Sequence, residues 1–368
     1  MKPAPWTPLL DRLLGRGRHA VTVPTMDGAL QPNRRLDEAP ALARIAEVDN
    51  LVATAGGLLA SSGAEVLRVD LDSGALQPAA RFEAEVCALA ALPDGSDSQV
   101  IAALAGGALH AVGEPGSRGL LATAERRVIR TPTALAAVDG ETLLVAEGAQ
   151  DELPSQWRAD LLRGGRSGGV WRVALRDGTV GAAQPLATGL AWPCGLALPG
   201  DGSVVVSEAW AHRLLRIDAQ GRRSVLLADL PGYPSRLVPA AGGGWWLSLF
   251  APRSQLVEFV LREREFRAQM MATIDPRHWV APALASGADF REPMQGGAIK
   301  TMGQLKPWAP TRSYGLVCRL DAQFQPAFSL HSRADGRRHG VTSMAEAGGR
   351  LHVACRGGGE IVSVEITA

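Results

Sequence analysis

The feature that most constrains the fold of this chain is a plan that repeats six times along it. Each repeat has a short apolar strand, a Gly-bearing turn and a second apolar strand. The six segments are LVATAGGLLAS (51–61), LAALPDGSDSQVIAAL (89–104), LAAVDGETLLVAE (135–147), LALPGDGSVVVSE (196–208), LVPAAGGGWWLSL (237–249) and MAEAGGRLHVAC (344–355). Their Asp-Gly and Gly-Gly pairs supply the positive φ angles that tight β-hairpins require. Such self-similarity indicates a repeat architecture.

A second, amphipathic hairpin follows most of these repeats. Examples are EVLRVDLDSGALQPAARF (65–82), GVWRVALRDGTVGAAQPLA (169–187), RLLRIDAQGRRSVLLA (213–228) and GLVCRLDAQFQPAFSL (315–330). Apolar and polar residues alternate in them, as in strands with one face on a core. Four strands in each of six units predict an all-β fold, a six-bladed β-propeller over residues 19–368. A β-sandwich with a second domain is the alternative.

The two ends of the chain are predicted to meet in the last blade. The sixth unit stops at EIVSVEITA, one strand short of a full blade. An early strand must complete it, and HAVTVP (19–24) is the candidate, which leaves residues 1–18 as an N-terminal extension. This closure removes an exposed sheet edge.

Two insertions interrupt the regular spacing. Residues 148–169 lie between the hairpins of blade three, and residues 251–312 occupy the same place in blade five. The apolar spacing of SQLVEFVLREREFRAQMMATI (254–274) predicts one amphipathic helix, followed by a Gly- and Pro-rich loop. Long insertions in a compact domain often serve as lids or partner-binding surfaces. The segment 251–312 is therefore a candidate site for a protein partner, with a solvated decoration as the alternative.

Charge and composition narrow the class of protein. The net charge is +1, from 38 basic and 37 acidic side chains, so the sequence predicts no binding of nucleic acid. No apolar run reaches the roughly 20 residues of a membrane span, and the N-terminus lacks the apolar segment of a secretory signal. The four cysteines are widely spaced, without a CxxC pair, as in proteins with reduced thiols. We predict a cytoplasmic protein that acts on a small molecule.

The repeats also predict a ring of polar side chains at the propeller axis. The first strand of each blade runs beside the central channel, and its entry residue points at the axis. Counting two residues before the first large apolar residue of each repeat selects Asp49, Cys87, Thr133, Cys194, Ser235 and Thr342. Small polar groups that converge on a channel mouth are the default hypothesis for a binding site. Alternatively, these side chains only bond the ends of strands.

Stronger acids and bases lie beside this ring. Arg236 directly follows a ring position and could project into the same space. Glu147 and Glu208 end the second strands of blades three and four, each after an apolar run. A carboxylate there either pairs with an arginine, such as Arg213 or Arg236, or has a raised pKa and acts as an acid or base.

Two further residues belong to the predicted substrate-binding set. Trp192 stands beside a ring cysteine in WPCG. His339, in RRHGVTS, precedes blade six and is the histidine predicted to lie closest to the ring, although a surface or turn role is the alternative.

Three segments carry a resemblance to a known family. They are GLAWPCGLALPGDGSVVVSEAWAHRLLRID (189–218), LPGYPSRLVPAAGGGWWLSL (230–249) and HGVTSMAEAGGRLHVACRGGGEIVSV (339–364), which resemble the strictosidine synthase-like family. That family is related to the calcium-dependent lactonases and arylesterases of the gluconolactonase (SMP-30) and paraoxonase type. The likeness runs from about residue 41 to the end and implies a six-bladed propeller.

The calcium ligands of the metal-dependent relatives do not carry over to this chain. The positions that hold Glu, Asn, Asn and an Asp-Asn pair in those relatives fall on Asp49, Thr133, Cys194 and the pair Ser235–Arg236. Calcium takes about six to eight oxygen ligands, whereas these positions offer one carboxylate, hydroxyls, a thiol and a cation. We expect no catalytic metal and no other cofactor. A zinc ion held by the two ring cysteines is the alternative, although no CxxC pair or histidine supports it.

The resemblance also bears on synthase chemistry. The single catalytic glutamate of the plant synthase falls on Thr342, so the condensation that the synthase performs is not expected here. Another amine–carbonyl condensation or lyase step, with Glu208 or Glu147 as the acid–base group, is one alternative function. A non-catalytic propeller that binds a ligand or a partner is another, because the fold hosts many functions.

The leading hypothesis is a metal-independent hydrolase of an ester or lactone at the central channel. Arg236 would stand at the place of the relatives' metal and stabilise an oxyanion. Cys194, or a water activated by Asp49 or Glu208, would attack the acyl carbon. These four are the candidate catalytic residues. The candidate substrate-binding residues are Cys87, Thr133, Glu147, Trp192, Ser235, His339 and Thr342.

Overall fold

Five four-stranded antiparallel sheets and one five-stranded sheet surround a central channel, and the fold is a six-bladed β-propeller. In the computed structural model of the chain, the described residues are 23–93, 100–112, 120–121, 123–124, 127–176, 179–287, 291–293, 300–301, 304–305 and 311–366. The inner strand of each blade contacts the inner strands of both neighbouring blades, which closes the ring. The predicted fold class is confirmed.

The strands of each blade follow one another outward from the axis. Blade one has Val48–Thr54, Gly57–Ser62, Glu65–Val69 and Leu76–Arg81; blade two has Val86–Ala91, Val100–Leu104, Ala108–Ala111 and Leu120–Leu121. Blade three has Pro132–Ala137, Thr142–Glu147, Gly168–Arg176 and Gln184–Leu190, with the short strand Thr179–Val180 also on Gly168–Arg176. Blade four has Pro193–Ala197, Val204–Glu208, Arg213–Ile217 and Arg223–Leu227. Blade five has Gly232–Pro239, Trp245–Pro252, Gly315–Leu320 and Pro326–Ser332; blade six has Val341–Ala347, Arg350–Cys355, Glu360–Glu365 and Ala41–Arg44. Two small hairpins, Thr123–Ala124 with Arg127–Val128 and Lys300–Thr301 with Gln304–Leu305, stand apart from the blades.

The strand that completes blade six differs from the predicted one. Ala41–Arg44 pairs with the last strand of the chain, so the early strand does close the ring, but it is not the segment 19–24. Residues 19–22 lie outside the described residues, and residues 23–24 belong to no strand. The segment 41–45 closes the blade because its Ala43 and Ile45 enter the apolar core between blades one and six. The stretch before it contains helix α1 (Arg35–Glu38), whose Leu36 is fully buried against blades five and six.

The hydrophobic core lies between neighbouring blades rather than at the axis. Between blades two and three, for example, Ala88 and Leu109 pack with Leu143, Val145 and the buried Trp171. Each interface of this kind removes apolar surface from water. The burial stabilises the fold by roughly 25 cal/mol for each Å² of apolar surface. The alternating apolar residues that marked the strands in the sequence therefore hold adjacent blades together.

Both insertions contain short helices, although a helix was predicted only in the blade-five insertion. The blade-three insertion contains a 3₁₀ turn, Pro154–Gln156, and helix α2 (Trp157–Arg163). The blade-five insertion contains α3 (Gln255–Val260), α4 (Arg264–Thr273) and a 3₁₀ turn, Pro276–His278. Among the helices of the described residues, none is long and apolar enough to span a membrane.

The prediction of a single helix over residues 254–274 is wrong. Ser254 caps α3, accepting a hydrogen bond from the Val257 backbone N–H at 3.3 Å, and the helix ends at Val260. Glu263 has the non-helical backbone angles φ −83° and ψ 82°, and α4 starts after it. Helix α3 contacts blade four through Glu258 and His212, and both helices contribute to one buried cluster with the other insertion, through Val260 and Met270.

The two insertions pack on each other to form one structure, here called the cap (residues 148–167 and 253–287). Leu162 of α2 contacts Val260 and Met270 of the blade-five insertion in one buried cluster. Nη1 of Arg158 also donates a hydrogen bond to the carbonyl oxygen of Pro276 at 3.1 Å. The cap thus joins blades three and five above one end of the channel.

Candidate functional site

The six predicted ring positions come together at the end of the channel that lies under the cap. They line one cavity of about 240 Å³, here called the axial cavity. All six side chains are buried: Asp49, Cys87, Thr133, Cys194, Ser235 and Thr342.

A break in strand register explains how polar side chains reach the axis from apolar strands. In every inner strand, the pairing with the second strand shifts at the ring residue, as in a β-bulge. The shifts lie between Val48 and Leu51, Val86 and Ala88, Pro132 and Ala134, Pro193 and Gly195, Pro234 and Leu237, and Val341 and Ser343. A bulge re-aims a side chain and interrupts the alternation of the strand. The ring residue can therefore face the channel while its neighbours pack between blades.

The hydroxyl groups of the ring tie adjacent blades together. Oγ1 of Thr133 donates a hydrogen bond to the carbonyl oxygen of Pro193 in the next blade at 2.5 Å. In the same way, Oγ of Ser235 donates to the carbonyl oxygen of Thr342 at 3.1 Å. Oγ1 of Thr342 then donates to the carbonyl oxygen of Asp49 at 2.9 Å. The hydroxyls therefore bond strand ends, the alternative considered for the ring, and also line the cavity.

The partly buried guanidinium group of Arg236 occupies the centre of the ring. Nη1 of Arg236 donates to Oδ1 of Asp49 at 3.1 Å and to the carbonyl oxygen of Thr342 at 3.0 Å. Nη2 donates to Oδ2 of Asp49 at 3.3 Å and to the carbonyl oxygen of Cys87 at 2.8 Å. All four hydrogens on the terminal nitrogens of Arg236 are therefore engaged within the protein. The side chain joins blades five, one, six and two.

A second ion pair lies beside the first and is more open to the cavity. Nη1 of Arg356 is 3.5 Å from Oδ2 of Asp49, and its Nη2 donates to Oε1 of Glu85 at 2.9 Å. The side chains of Arg356 and Glu85 are 25% and 31% exposed, against 13% and 11% for Arg236 and Asp49. Burial alone would raise the pKa of the Asp49 carboxyl, but the charges of the two arginines outweigh burial and hold that pKa below its usual range.

Arg356 and Glu85 were not predicted from the sequence. Arg356 lies one residue beyond the second strand of blade six, and Glu85 lies two residues before the ring position Cys87. A charged residue within two positions of a ring residue would have been the signal for Glu85. The signal for Arg356 would have been a charge at the end of a second strand, which the prediction considered only in blades three and four.

The two ring cysteines are neutral thiols at neutral pH. Burial raises the pKa of Cys194 and of Cys87, and an adjacent carboxylate, Glu85, adds to the increase at Cys87. Sγ of Cys194 lies 3.4 Å from Oγ of Ser235, a hydroxyl group that cannot act as a base at this pH. Since the thiolate is the reactive form, the surroundings of Cys194 favour a wall of the cavity over a nucleophile.

Aromatic and apolar side chains form the remaining wall, and part of it belongs to the cap. Trp157 of α2 and Leu284 of the blade-five insertion line the cavity together with Trp192 and Phe250. The Trp157 and Phe250 rings meet edge to face, with centroids 5.4 Å apart. The cap therefore forms part of the wall of the axial cavity.

The predicted substrate-binding residue Trp192 is held in an uncommon conformation. Its φ is 54°, in the left-handed region that non-glycine residues rarely adopt. Gly148 makes room for its ring, since a Cβ at Gly148 would lie 3.0 Å from the Trp192 indole and 2.9 Å from Cγ2 of Thr133. Such strain costs of order 1–3 kcal/mol and clusters at functional sites.

The two predicted carboxylates of blades three and four do not line the axial cavity. Glu147 is fully buried and accepts a hydrogen bond from Nε1 of Trp171 at 3.0 Å. Glu208 accepts from the Ala191 backbone N–H at 2.9 Å and from Nε of Arg213 at 2.5 Å. Pairing with Arg213 was one of the two predicted states of Glu208. The placement of both carboxylates corrects their assignment to the site, because a buried charge takes the nearest partner within its own blade.

His339 also lies outside the axial cavity. Its Nδ1 is 2.8 Å from Oγ of Ser313, and its Nε2 is 2.7 Å from the carbonyl oxygen of Arg333. Burial lowers the pKa of His339, so the ring is neutral and serves as a hydrogen-bond bridge. Ser313 is fully buried, which keeps this Ser–His contact away from any substrate.

The residues at the axis do not fit a calcium ion. Asp49 is the one ring carboxylate, and both of its oxygens already accept hydrogen bonds from Arg236. The guanidinium group also binds two of the main-chain carbonyls that face the axis. Within the part of the chain that the structure describes, no cluster of three or more His, Cys, Asp or Glu residues could hold a metal ion.

Comparison with known proteins supports the fold. No protein-family model matches the sequence, and no curated protein matches it. A gluconolactonase from Xanthomonas campestris is 15% identical, with a TM-score of 0.55 over 91% of this chain and 92% of that chain. A candidate gluconolactonase is 17% identical, with a TM-score of 0.53 over 89% of this chain and 91% of its own. A luciferin-regenerating enzyme is 13% identical, with a TM-score of 0.52 over 91% of this chain and 95% of its own.

The chain shares the six-bladed propeller fold of these proteins. At such low identities the likeness extends to the fold alone, and the function has to be argued from the axial cavity.

Proposed function

We propose that this propeller is a metal-independent hydrolase of a small lactone or ester, acting in the axial cavity. The observation that supports this proposal is the Arg356–Glu85 pair beside the buried Arg236–Asp49 pair. The more exposed pair offers a cation that can polarise a carbonyl group and a carboxylate that can accept a proton. The finer resemblance to the strictosidine synthase-like family remains a prediction.

The two ion pairs have different roles in this proposal. Arg236 has all four terminal N–H groups engaged, so it positions Asp49 and holds the ring together. Arg356 is 25% exposed and can turn one N–H toward a substrate oxygen. Glu85 is 31% exposed and can accept a proton from a water molecule in the cavity. The role predicted for Arg236 as the oxyanion-stabilising group thus passes to Arg356.

The reaction follows from these positions. A water oxygen attacks the acyl carbon while its proton passes to the Glu85 carboxylate. The carbonyl electron pair moves onto the oxygen, and the Arg356 guanidinium group stabilises the resulting oxyanion. When the intermediate collapses, the acyl C–O bond breaks and the leaving alkoxide takes the proton from Glu85. Asp49 remains an anion throughout, because the two arginines lower its pKa.

The cavity walls restrict the substrate. A volume of about 240 Å³ is below the range of roughly 300–1,000 Å³ that drug-sized ligands occupy, so the substrate is small. The axial cavity also has an apolar wall, formed by Trp157, Trp192, Phe250 and Leu284. A small lactone or ester with an apolar substituent fits this cavity, because its carbonyl group can contact the charged residues while the substituent contacts the apolar wall.

The test is a panel of lactones and aryl esters with two matched variants in one loop. Glu85→Gln removes the proposed base, whereas Glu83→Gln removes a carboxylate two residues away whose side chain is 68% exposed. We expect kcat/KM to fall about 100-fold or more in Glu85→Gln and to stay within about twofold in Glu83→Gln. Arg356→Met should lose a similar factor, and Cys194→Ser should stay within about twofold. Equal rates in the Glu85→Gln variant and the wild type would remove this mechanism.

A second candidate function is a non-catalytic binding site in the same cavity. Two observations favour it: all terminal N–H groups of Arg236 are hydrogen-bonded within the protein, and both cysteine thiols are neutral. Neither group is then free to react with a ligand. No turnover across the panel, together with lactone binding that calorimetry detects in the wild type but not in Arg356→Met, would support this function over hydrolysis.

A further inference from the structure

The channel contains a second cavity at the end away from the cap. This cavity, here called the distal cavity, has a volume of about 460 Å³. It is lined by the later residues of the six inner strands and by Trp245, whereas the axial cavity is lined by their first residues and the cap. Among the described residues, Arg236 is the one that lines both cavities. Its side chain divides the channel in two.

The distal cavity is surrounded by a second ring, and this ring is apolar. Its members lie two residues after the polar ring positions, one in each blade. They are Leu51, Leu89, Leu135, Leu196, Leu237 and Met344. Two residues further along, small side chains continue the wall toward the mouth in blades one to three, namely Ala53, Ala91 and Ala137. Six repeats thus build a wall that is mostly apolar, interrupted by Asn50, Arg236, Ser343 and Glu346.

The charged groups that touch this surface already have hydrogen-bond partners. Among the described lining residues, Arg236 and Glu346 alone carry a charge. Arg236 directs its terminal N–H groups to Asp49 and to two carbonyl oxygens. Glu346 accepts hydrogen bonds from the Ala241 backbone N–H at 2.8 Å and from Nε1 of Trp246. An anionic ligand would therefore find no free counter-ion in the distal cavity, because Arg236 is engaged and Glu346 is a carboxylate.

The polar side chains of the wall are also satisfied. Nδ2 of Asn50 donates to Oγ of Ser61 at 2.8 Å. Oγ of Ser343 accepts from the Leu51 backbone N–H at 3.1 Å. The main chain differs, because each inner strand is the edge strand of its sheet and has alternate N–H and C=O groups without a strand partner. The side chains of the wall, rather than its main chain, favour an apolar occupant.

We propose that the distal cavity is a binding site for an uncharged apolar molecule of about the size of two fused rings plus a substituent. An engineered protein cavity of about 150 Å³ with apolar walls binds benzene, and the distal cavity is about three times larger. Its volume also lies within the range of roughly 300–1,000 Å³ that is usual for ligand sites. This proposal does not depend on hydrolysis in the axial cavity, because Arg236 separates the two.

The test uses the uncharged fluorophore N-phenyl-1-naphthylamine, which becomes bright in apolar surroundings. We expect saturable binding of one molecule per chain and displacement by 1-octanol. The anionic dye 1-anilinonaphthalene-8-sulfonate should bind at least about tenfold more weakly, since no cation in the wall is free. Absence of saturable binding, or equal binding of the two dyes, would overturn the proposal.

Two matched variants locate the binding. Ala137→Phe places a ring in the distal cavity, whereas Val138→Phe adds the same ring one residue later, at a position that is 41% exposed and does not line the cavity. We expect Ala137→Phe to weaken N-phenyl-1-naphthylamine binding about tenfold or more and Val138→Phe to leave it unchanged. Ala53→Phe fills the cavity from blade one and gives the same result if one of the other variants does not fold. Binding that survives in both folded cavity variants would place the dye elsewhere and contradict the proposal.

Discussion

Arg236 and Asp49 show how one buried pair can organise the centre of a propeller. The guanidinium group bonds both carboxylate oxygens and two main-chain carbonyls, so it connects four of the six blades. A buried pair contributes little net stability compared with apolar packing, but removing one partner leaves the other charge buried and uncompensated. The pair therefore matters most when it is broken.

The first prediction concerns the removal of Asp49 from its ion pair with Arg236. Asp49→Ala should lower the free energy of unfolding by about 3–5 kcal/mol, because it leaves Arg236 and Arg356 without their shared carboxylate. Asp201→Ala is the control, since it removes the exposed ion pair with Arg216, whose side chains are 35% and 49% exposed, and should cost no more than about 1 kcal/mol. Urea denaturation measures both. A similar small loss in the two variants would show that the axial pair does not organise the ring.

The ring residues could be predicted from the sequence, whereas their strongest partners could not. Counting within six aligned repeats finds Asp49 or Cys194 because each blade places the same position at the axis. Arg356 escapes this counting, since it follows the second strand of blade six and reaches Asp49 only across the channel. Glu208 was assigned to the site for the opposite reason: its position in the repeat is suggestive, but Arg213 on the adjacent strand binds it first.

At the scale of elements, the attachment of α3 to blade four depends on a buried carboxylate. Nε of Arg253 donates to Oε1 of Glu258 at 3.1 Å, and Nε2 of His212 lies 3.5 Å from the same oxygen. Burial alone would raise the pKa of Glu258, but these two partners outweigh burial and lower the pKa to about 2. The carboxylate is thus favoured in the folded state.

The second prediction follows from the sign of that shift. A folded-state pKa below the unfolded value stabilises the protein above about pH 4.5, and this stabilisation is lost as the pH falls toward about 2. Glu258→Gln should therefore lower the free energy of unfolding by up to about 3 kcal/mol at neutral pH and make it less dependent on pH in that window. The exposed Glu265→Gln in α4 is the control. Urea denaturation across the acid range measures the free energy of unfolding of both variants. The same pH dependence in the two variants would contradict this role of Glu258.

The closing strand and the broken helix mark the limit of pattern-based prediction for elements. Residues 19–24 and 41–45 both alternate, and the choice between them depends on where Leu36 packs, which the alternation does not encode. The apolar spacing of residues 254–274 continues through the break at residues 261–263. The α3 residue Glu258 reaches His212 of blade four, whereas Val260 of α3 and Met270 of α4 share one buried cluster with Leu162 of α2.

At the scale of the whole molecule, one channel contains two cavities that differ in the polarity of their walls. The polar ring, the two ion pairs and the cap define the axial cavity, and the apolar ring defines the distal cavity. Arg236 lies between them, at the place where the resemblance to calcium-dependent lactonases implies a metal. We infer that the Arg236 guanidinium group, rather than a calcium ion, neutralises and connects the axis.

The measurement that tests this claim most directly is a calorimetric titration of calcium into purified, chelator-treated protein. We expect no saturable binding of calcium, because Asp49 and two axial carbonyls are already bound to Arg236. One tightly bound calcium ion per chain would contradict it.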